Sequence, residues 1–371
     1  MSTDLQSFIR AIRSGDLAVV REMATADPSL LRATDPQCFG TTTFMCAAQT
    51  ANQAMIDLLL DLGADINQRS DWWAGSFGVL DSADDGLSEY LISRGAVLTP
   101  HSAARLGKIT ELRSMLDADR TVGHSRGGDG QTPLHFARTI QIADLLLEHG
   151  AVIDALDIDH GSTPAQWLSE ARPEVAAHLV LRGAVADPFL AARIGDISLL
   201  EKLLSREPDG LNVRVSRSRF SVPPPAAGHI YLYSMGEGCT LVHAAAGSSQ
   251  TKAIHWLATH GADINAGGGY DNGTALHASA WGDRAESVKA LLDVGADINA
   301  VSGHLHRNEP IGWAIVSGAV SAFQVLLERG AAIRPHHFED AKMGVEGAFR
   351  EVNPRRPMVA WKQILDVLSR K

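Results

Sequence analysis

Cysteine is scarce in this 371-residue chain. Cys38, Cys46 and Cys239 are odd in number and lack zinc-type pairing, which excludes a disulfide framework and leaves them as small core residues of a reducing compartment. Also missing is any uninterrupted apolar run near the roughly 18 to 20 residues of a membrane span. The opening "MSTDLQSFIRAIRSGDL" spreads charge through itself and has no signal-peptide core, so a cytoplasmic protein with no membrane association is expected. Positive charge is in deficit, with 33 Lys and Arg against 43 Asp and Glu and a net charge of -10. Without a basic stripe this opposes counterion release, and nucleic acid is not an expected partner. No phosphate-binding glycine loop is present, because "AGGGYDNG" at 266 follows a helix pair and not a strand. The serines lack a nucleophile elbow and the cysteines an activating base. His304, His306, His336 and His337 are not followed by an ordered set of ligands, so neither metal nor cofactor is expected.

What is present is a globular composition, 45% apolar, and a sequence that repeats itself. "LLLDLGADINQ" at 58, "YLISRGAVL" at 90, "LLLEHGAVIDA" at 145, "LVLRGAVAD" at 179, "WLATHGADINA" at 256, "LLDVGADINA" at 291 and "LLERGAAI" at 326 each end a helix with Gly. Between them lie "GTTTFMCAA", "TPHSAARLG", "GQTPLHFAR", "GSTPAQWL", "GCTLVHAAAG" and "GTALHASAWG". This pattern resembles the ankyrin repeat, a unit of about 33 residues with a β-turn finger and two helices. The resemblance implies an all-α ankyrin-repeat solenoid of about ten helix-turn-helix units with β-turn fingers and one extended hairpin finger. It covers residues 1–335, leaving 336–371 as a C-terminal helical cap that ends in an amphipathic helix with Val359, Ile364, Leu365 and Leu368 on one side. The motif has direct physical reasons: Thr132 caps a helix, Pro133 suits its first turn, Gly150 supplies a left-handed C-terminal residue, and Leu145, Leu146 and Leu147 bury the outer helix.

A stacked array presents a concave surface made of inner helices and fingers. The resemblance places finger residues and the two residues after each Ala-Ala on that surface, and makes His135, His243 and His277 structural. Departures from the repeat then become informative. Trp72 and Trp73 fall on a finger where side chains alternate in direction, so both are not expected to be buried. The second ring is expected in a groove with a carboxylate of Asp81, Asp84 or Asp85 and the guanidinium of Arg105, with Arg193 at the matching slot farther along. Arg126 and Asp129 lie on the finger "SRGGDGQ", where Asp before Gly is expected to cap the turn. Asp157, Asp159, His160 and Trp167 follow on the next one. The stretch "LNVRVSRSRFSVPPPAAGHIYLYSMGEG" reads as the extended hairpin, with His229, Tyr231 and Tyr233 on one face of a strand and Tyr270 and Trp281 facing the same region.

Two functions are compatible with this pattern. The leading expectation is a binding protein that captures a protein or peptide partner in its concave groove. The alternative is an enzyme acting on a small polar or sugar-like ligand, with Asp81, Asp84, Asp85, Asp157, Asp159 and His160 as acid–base candidates and the aromatic and Arg residues holding the ligand. An open groove favours the first; a closed pocket with perturbed carboxylates favours the second.

Overall fold

Most repeats begin at a capped turn, and seven outer helices among the described residues end at a glycine of the repeated motif, for local reasons. At the inner helix Ala275–Trp281 the backbone N–H of Thr274 donates to Nδ1 of His277, 3.1 Å away. That leaves the imidazole proton on Nε2, which donates to the carbonyl of Asn308 in the next repeat at 3.1 Å. His135 ties Thr132 to Ser162 in the same way, and His243 ties Thr240 to Gly273. Burial holds all three rings neutral, pushing their pKa down to about 3 for His135 and about 4 for His243 and His277. At the far end of the outer helix Ile140–Glu148, Gly150 adopts φ +93°. A Cβ there would meet nothing within 4 Å, so backbone conformation and not space selects glycine. In the "GADIN" turns the Asp263 carboxylate accepts the N–H of Asn265, whose side-chain oxygen accepts the N–H of Asp297 one repeat on.

The computed structural model describes residues 3–207, 209–303, 308–350, 353 and 356–370, and among these it is all-α apart from two short antiparallel finger hairpins. The chain divides into two compact units, one of residues 1–164 with 222–227, the other of 165–221 with 228–371. The first has its own core around Phe8, Phe44, Met55, Ile56, Leu59 and Leu91. The core of the second is built on Phe189, Tyr231, Leu257, Leu291 and Phe323. In the second unit the inner helices Pro188–Ile194, Leu241–Gly247, Ala275–Trp281 and Pro310–Ser317 lie side by side, and the outer helices Thr251–Thr259, Ala285–Asp293 and Val320–Glu328 form a second row. The last pair, Pro335–Val345 and Met358–Leu368, continues both rows. Arg334 and His337 even repeat the Thr–His cap, with the Arg334 N–H on His337 Nδ1.

Several local expectations are corrected. The complete "TPLH" motif forms a single 3-10 turn, Pro133–Phe136, because the outer helix already starts after Thr139 and leaves no room for an inner helix. The extended hairpin does not form. One isolated bridge pairs Arg214 with Thr240, the chain turns at Ser216–Phe220, and "IYLYS" is a short helix, Ile230–Ser234, capped by His229. In the last helix, Ala360, Trp361, Ile364 and Leu368 form the buried face, while Val359 is exposed and Leu365 half-buried. Leu147 is likewise only half-buried.

Candidate functional site

The second unit holds a cavity of about 1090 Å³ on its inner-helix side. One wall is aromatic. Trp281, at the end of its inner helix, meets Trp313 of the next one edge to face, ring centres 6.0 Å apart, and Trp313 stacks edge-on against the capping ring of His277. The Trp313 indole N–H donates to Ser302 Oγ. Gly273 eases this packing, since a Cβ there would lie 3.1 Å from Trp313, a tight contact. Tyr270 stands at the finger, 70% exposed, its hydroxyl donating to the Tyr233 carbonyl.

Charge enters from the opposite side. Arg193 is 3% exposed, donates to the hydroxyls of Ser169 and Ser234 at 3.2 and 2.9 Å, and lies over the Tyr231 ring at 5.2 Å. Glu170 sits 3.6 Å from Arg193 and 3.4 Å from Arg284. Burial lowers the Arg284 pKa from its ordinary value, with Glu170 opposing and Arg193 reinforcing the shift. Arg356 pairs with Asp283 at 3.0 Å, and Asn353 donates to the Ser317 carbonyl. Asp340, on the Pro335–Val345 helix, has its carboxyl pKa raised by burial.

Of the ligand-binding candidates singled out in the sequence, Arg193, Tyr270 and Trp281 line this cavity, together with Cys239, the capping His243 and His336. Tyr231 does not; it is fully buried, its hydroxyl donating to Asp187 beside the amide of Gln166. Tyr233 is exposed on the short helix, and Trp167 packs half-buried against the core. In the first unit neither tryptophan is buried, Trp72 being half-buried and Trp73 45% exposed, but they do not point opposite ways: the Gly75 N–H bonds the Trp72 carbonyl in a turn, not a strand, and the two ring centres lie 6.1 Å apart. Their partners differ from the expected ones. The Trp72 indole donates to Asp129 at 3.0 Å, and its ring meets Phe39 edge-on. Asp81 accepts the Gly78 N–H and faces Arg69, Asp84 caps its own helix at Leu87, and Asp85 binds Arg138 through two 2.8 Å contacts. Arg105 donates to the Leu80 carbonyl and the Ser88 hydroxyl. Burial lowers the Arg105 pKa, with Asp81, Asp85 and Asp84 opposing the shift, so this guanidinium is within electrostatic reach of the three carboxylates, whereas Trp72 bonds Asp129 instead. Arg126 holds its finger by donating to the carbonyls of Gly130 and Leu156.

Asp157, Asp159 and His160 are buried together: the His160 N–H donates to Asp157 at 2.5 Å, and Asp159 accepts the N–H of Ala227 at 2.8 Å. Asp129, beside them, has its pKa raised to about 6 by burial, against the pull of His160 and the Trp72 indole.

Two described groups are close enough to hold a cation: Asp129 with Asp159 and His160, and Glu309 with His336 and His337. In the second, His337 Nδ1 accepts the Arg334 N–H, so its Nε2 carries a proton and donates to Asn308 at 3.1 Å instead of offering a lone pair. His304 and His306 lie outside the described residues.

Sequence reasoning missed Glu170, Arg284, Trp313, Asp340 and Arg356. Arg284 had a signal, since it follows Trp281 by three residues in the same departure from the motif, "AWGDR". The others are joined only by the fold; Glu170 and Arg284 are 114 positions apart.

Among the described residues no helix is long and apolar enough to cross a membrane. Nothing matches this chain among curated proteins. Among solved structures, the human ASB11 ankyrin repeat domain is 21% identical, with 64% of this chain and all of that one covered, at a TM-score of 0.37. The family model described as "Ankyrin repeats (3 copies)" matches residues 189–302, and the single "Ankyrin repeat" matches 39–71 and 129–158. Ankyrin repeats are in general protein-interaction modules. The matches at 39–71 and 189–302 fall on helix pairs and that at 129–158 on the Pro133–Phe136 turn with its outer helix, and these three segments are ankyrin repeats.

Proposed function

We propose that this protein binds a partner polypeptide, taking an extended segment of it into the cavity on the inner-helix side of the second unit. The observation that carries the reading is the combination of size and lining. At about 1090 Å³ the cavity stands at the upper end of the roughly 300–1,000 Å³ of small-ligand pockets and has room for several residues of an extended chain. Its wall offers rigid aromatic rings beside arginine, the residue types that dominate binding energy at protein interfaces. A small polar ligand is the competing reading.

A photo-crosslinking amino acid placed at the exposed Tyr270 tests this in cells, with the same group at Glu286 on the outer helix as control. Polypeptide adducts are expected at 270 and not at 286, and are expected to disappear with Trp281→Ala. Equal adducts at both positions, or only small-molecule adducts at 270, would overturn the reading.

A further inference from the structure

Around Trp281 the charges do not cancel. Two guanidinium groups, Arg193 and Arg284, share one carboxylate, Glu170, and both contacts are long, 3.6 and 3.4 Å. Arg193 is already engaged by Ser169, Ser234 and the Tyr231 face. Arg356, the next cation along the lining, is neutralised by Asp283, whose other oxygen accepts the N–H of Ala322. The remaining carboxylates of the lining, Asp271 and Asp340, belong to the finger and the Pro335–Val345 helix. Arg284 is the cation with capacity left. Its five N–H donors make one hydrogen bond among the described residues, the 3.4 Å contact with Glu170, and its side chain is about a quarter exposed, at 27%.

The backbone beneath Arg284 is shaped for it. Gly282 has an ordinary right-handed conformation, φ -74°, so no turn requires glycine there. A Cβ at 282 would fall 2.1 Å from Arg284 Nη1, and the guanidinium lies in the space the missing side chain leaves. The chain as a whole is acidic, at -10, and the lining balances its three arginines with Glu170, Asp271 and Asp340, so the cationic excess is confined to the corner where Arg193 and Arg284 share Glu170 beside Trp281.

Resting on the polypeptide-binding reading above, we infer that the bound segment is acidic: it presents a carboxylate side chain to Arg284 with an aromatic or aliphatic neighbour against Trp281 and Trp313. A carboxylate matches the planar guanidinium fork and meets a charge that Glu170 only half neutralises.

The test uses the full chain, immobilised, and a phage-displayed library of random 12-residue peptides. Selected peptides are expected to be enriched in Asp or Glu next to an apolar residue. For a synthetic copy of the leading peptide, Arg284→Gln is expected to weaken binding on the order of tenfold, the loss of one charged hydrogen bond. Glu170→Gln is expected to tighten it severalfold, because the competing carboxylate is gone. Gly282→Ala, which displaces the guanidinium and keeps its charge, is expected to weaken it with the far-ultraviolet circular dichroism unchanged. A purely structural Glu170–Arg284 pair would lose affinity in both charge variants, and that result overturns the inference. So does enrichment of peptides that need Trp281 but carry no acidic bias, which would leave the polypeptide-binding reading intact. Failure to enrich any peptide that depends on Trp281 would overturn both.

Discussion

Asp129 shows how much a single side chain can hold that its sequence context does not reveal. Its place before a finger glycine suggested a turn cap, and its φ of +56° is the left-handed conformation that Asp and Asn tolerate best among residues with a Cβ. In the fold its carboxylate takes the Trp72 indole N–H, and its carbonyl takes the N–H groups of Ile158 and Asp159. The expectation that Trp72 and Trp73 are not both buried holds, although a turn and not strand alternation sets their directions, and the partner, 57 positions away, was beyond any local pattern. Because burial raises the Asp129 pKa to about 6, the folded state holds its proton where the unfolded chain, near 3.9, has released it. Stability from this group is therefore greatest below about pH 4 and falls as pH rises through 6. The buried imidazoles of His135, His243 and His277 have the opposite sign. They are neutral when folded and charged in the unfolded chain below about pH 6.5, so they withdraw stability on acidification. The difference between wild type and Asp129→Asn isolates the carboxylate. Asn keeps an acceptor for Trp72 and the left-handed backbone, and the variant is expected to be more stable at pH 7 by on the order of 1 kcal/mol, discounted for partial exposure. The gain should vanish below about pH 4, read by urea unfolding across that range. A gain that persists at pH 4 would show that ionisation is not its source.

Helices and turns were legible to the extent that their signals are local. The Gly-ended outer helices and the His caps follow from bonds made within a few residues, and they appear where the motif puts them. The "HIYLY" segment was not legible, since five residues of alternating character fit a strand and a single helical turn equally well. What decided it was tertiary: Tyr231 fills a space among Phe189, Phe220 and His229. Gly312 is a second instance. It stands where the motif has His, and a Cβ there would come 2.0 Å from the Asn308 side chain, which occupies the vacated space and accepts from both His336 and His337. Alanine normally improves a helix by about 0.5–1 kcal/mol over glycine. At 312 the clash with Asn308 is the larger effect, and Gly312→Ala is expected to destabilise by about 1–3 kcal/mol. Removing the obstructing side chain should relieve it, so Asn308→Ala combined with Gly312→Ala is expected to cost at least about 1 kcal/mol less than the sum of the single variants. Strict additivity in chemical denaturation would refute this account of the missing histidine.

At the scale of the whole chain, two compact units with separate cores imply that damage in one stays there. Repeat proteins favour this, because each element contacts only its neighbours and stability is close to a sum of local terms. The terminal pair Pro335–Val345 and Met358–Leu368 supplies a place to test it. Its sequence carries little of the repeat motif, yet it extends both helix rows, and its anchor is Trp361, fully buried against Gly318 and Gly344. A Cβ at 344 would lie 2.1 Å from the indole Cδ1, inside the ring's own contact distance. Gly344→Ala must therefore displace the indole or the helix, an overpacking cost of about 1–3 kcal/mol. Hydrogen exchange read by mass spectrometry resolves where that cost appears. Amides of the neighbouring helices Pro310–Ser317 and Val320–Glu328 are expected to exchange faster in the variant, with smaller changes toward residue 189. Those of residues 3–164 should keep their wild-type protection. Because the terminal pair also carries Asp340 and faces the cavity, the same variant should weaken any peptide held there while leaving the Trp72–Asp129 contact unchanged. A uniform rise in exchange through both units would mean that the chain opens as one cooperative body, and the division into two would then have no energetic counterpart.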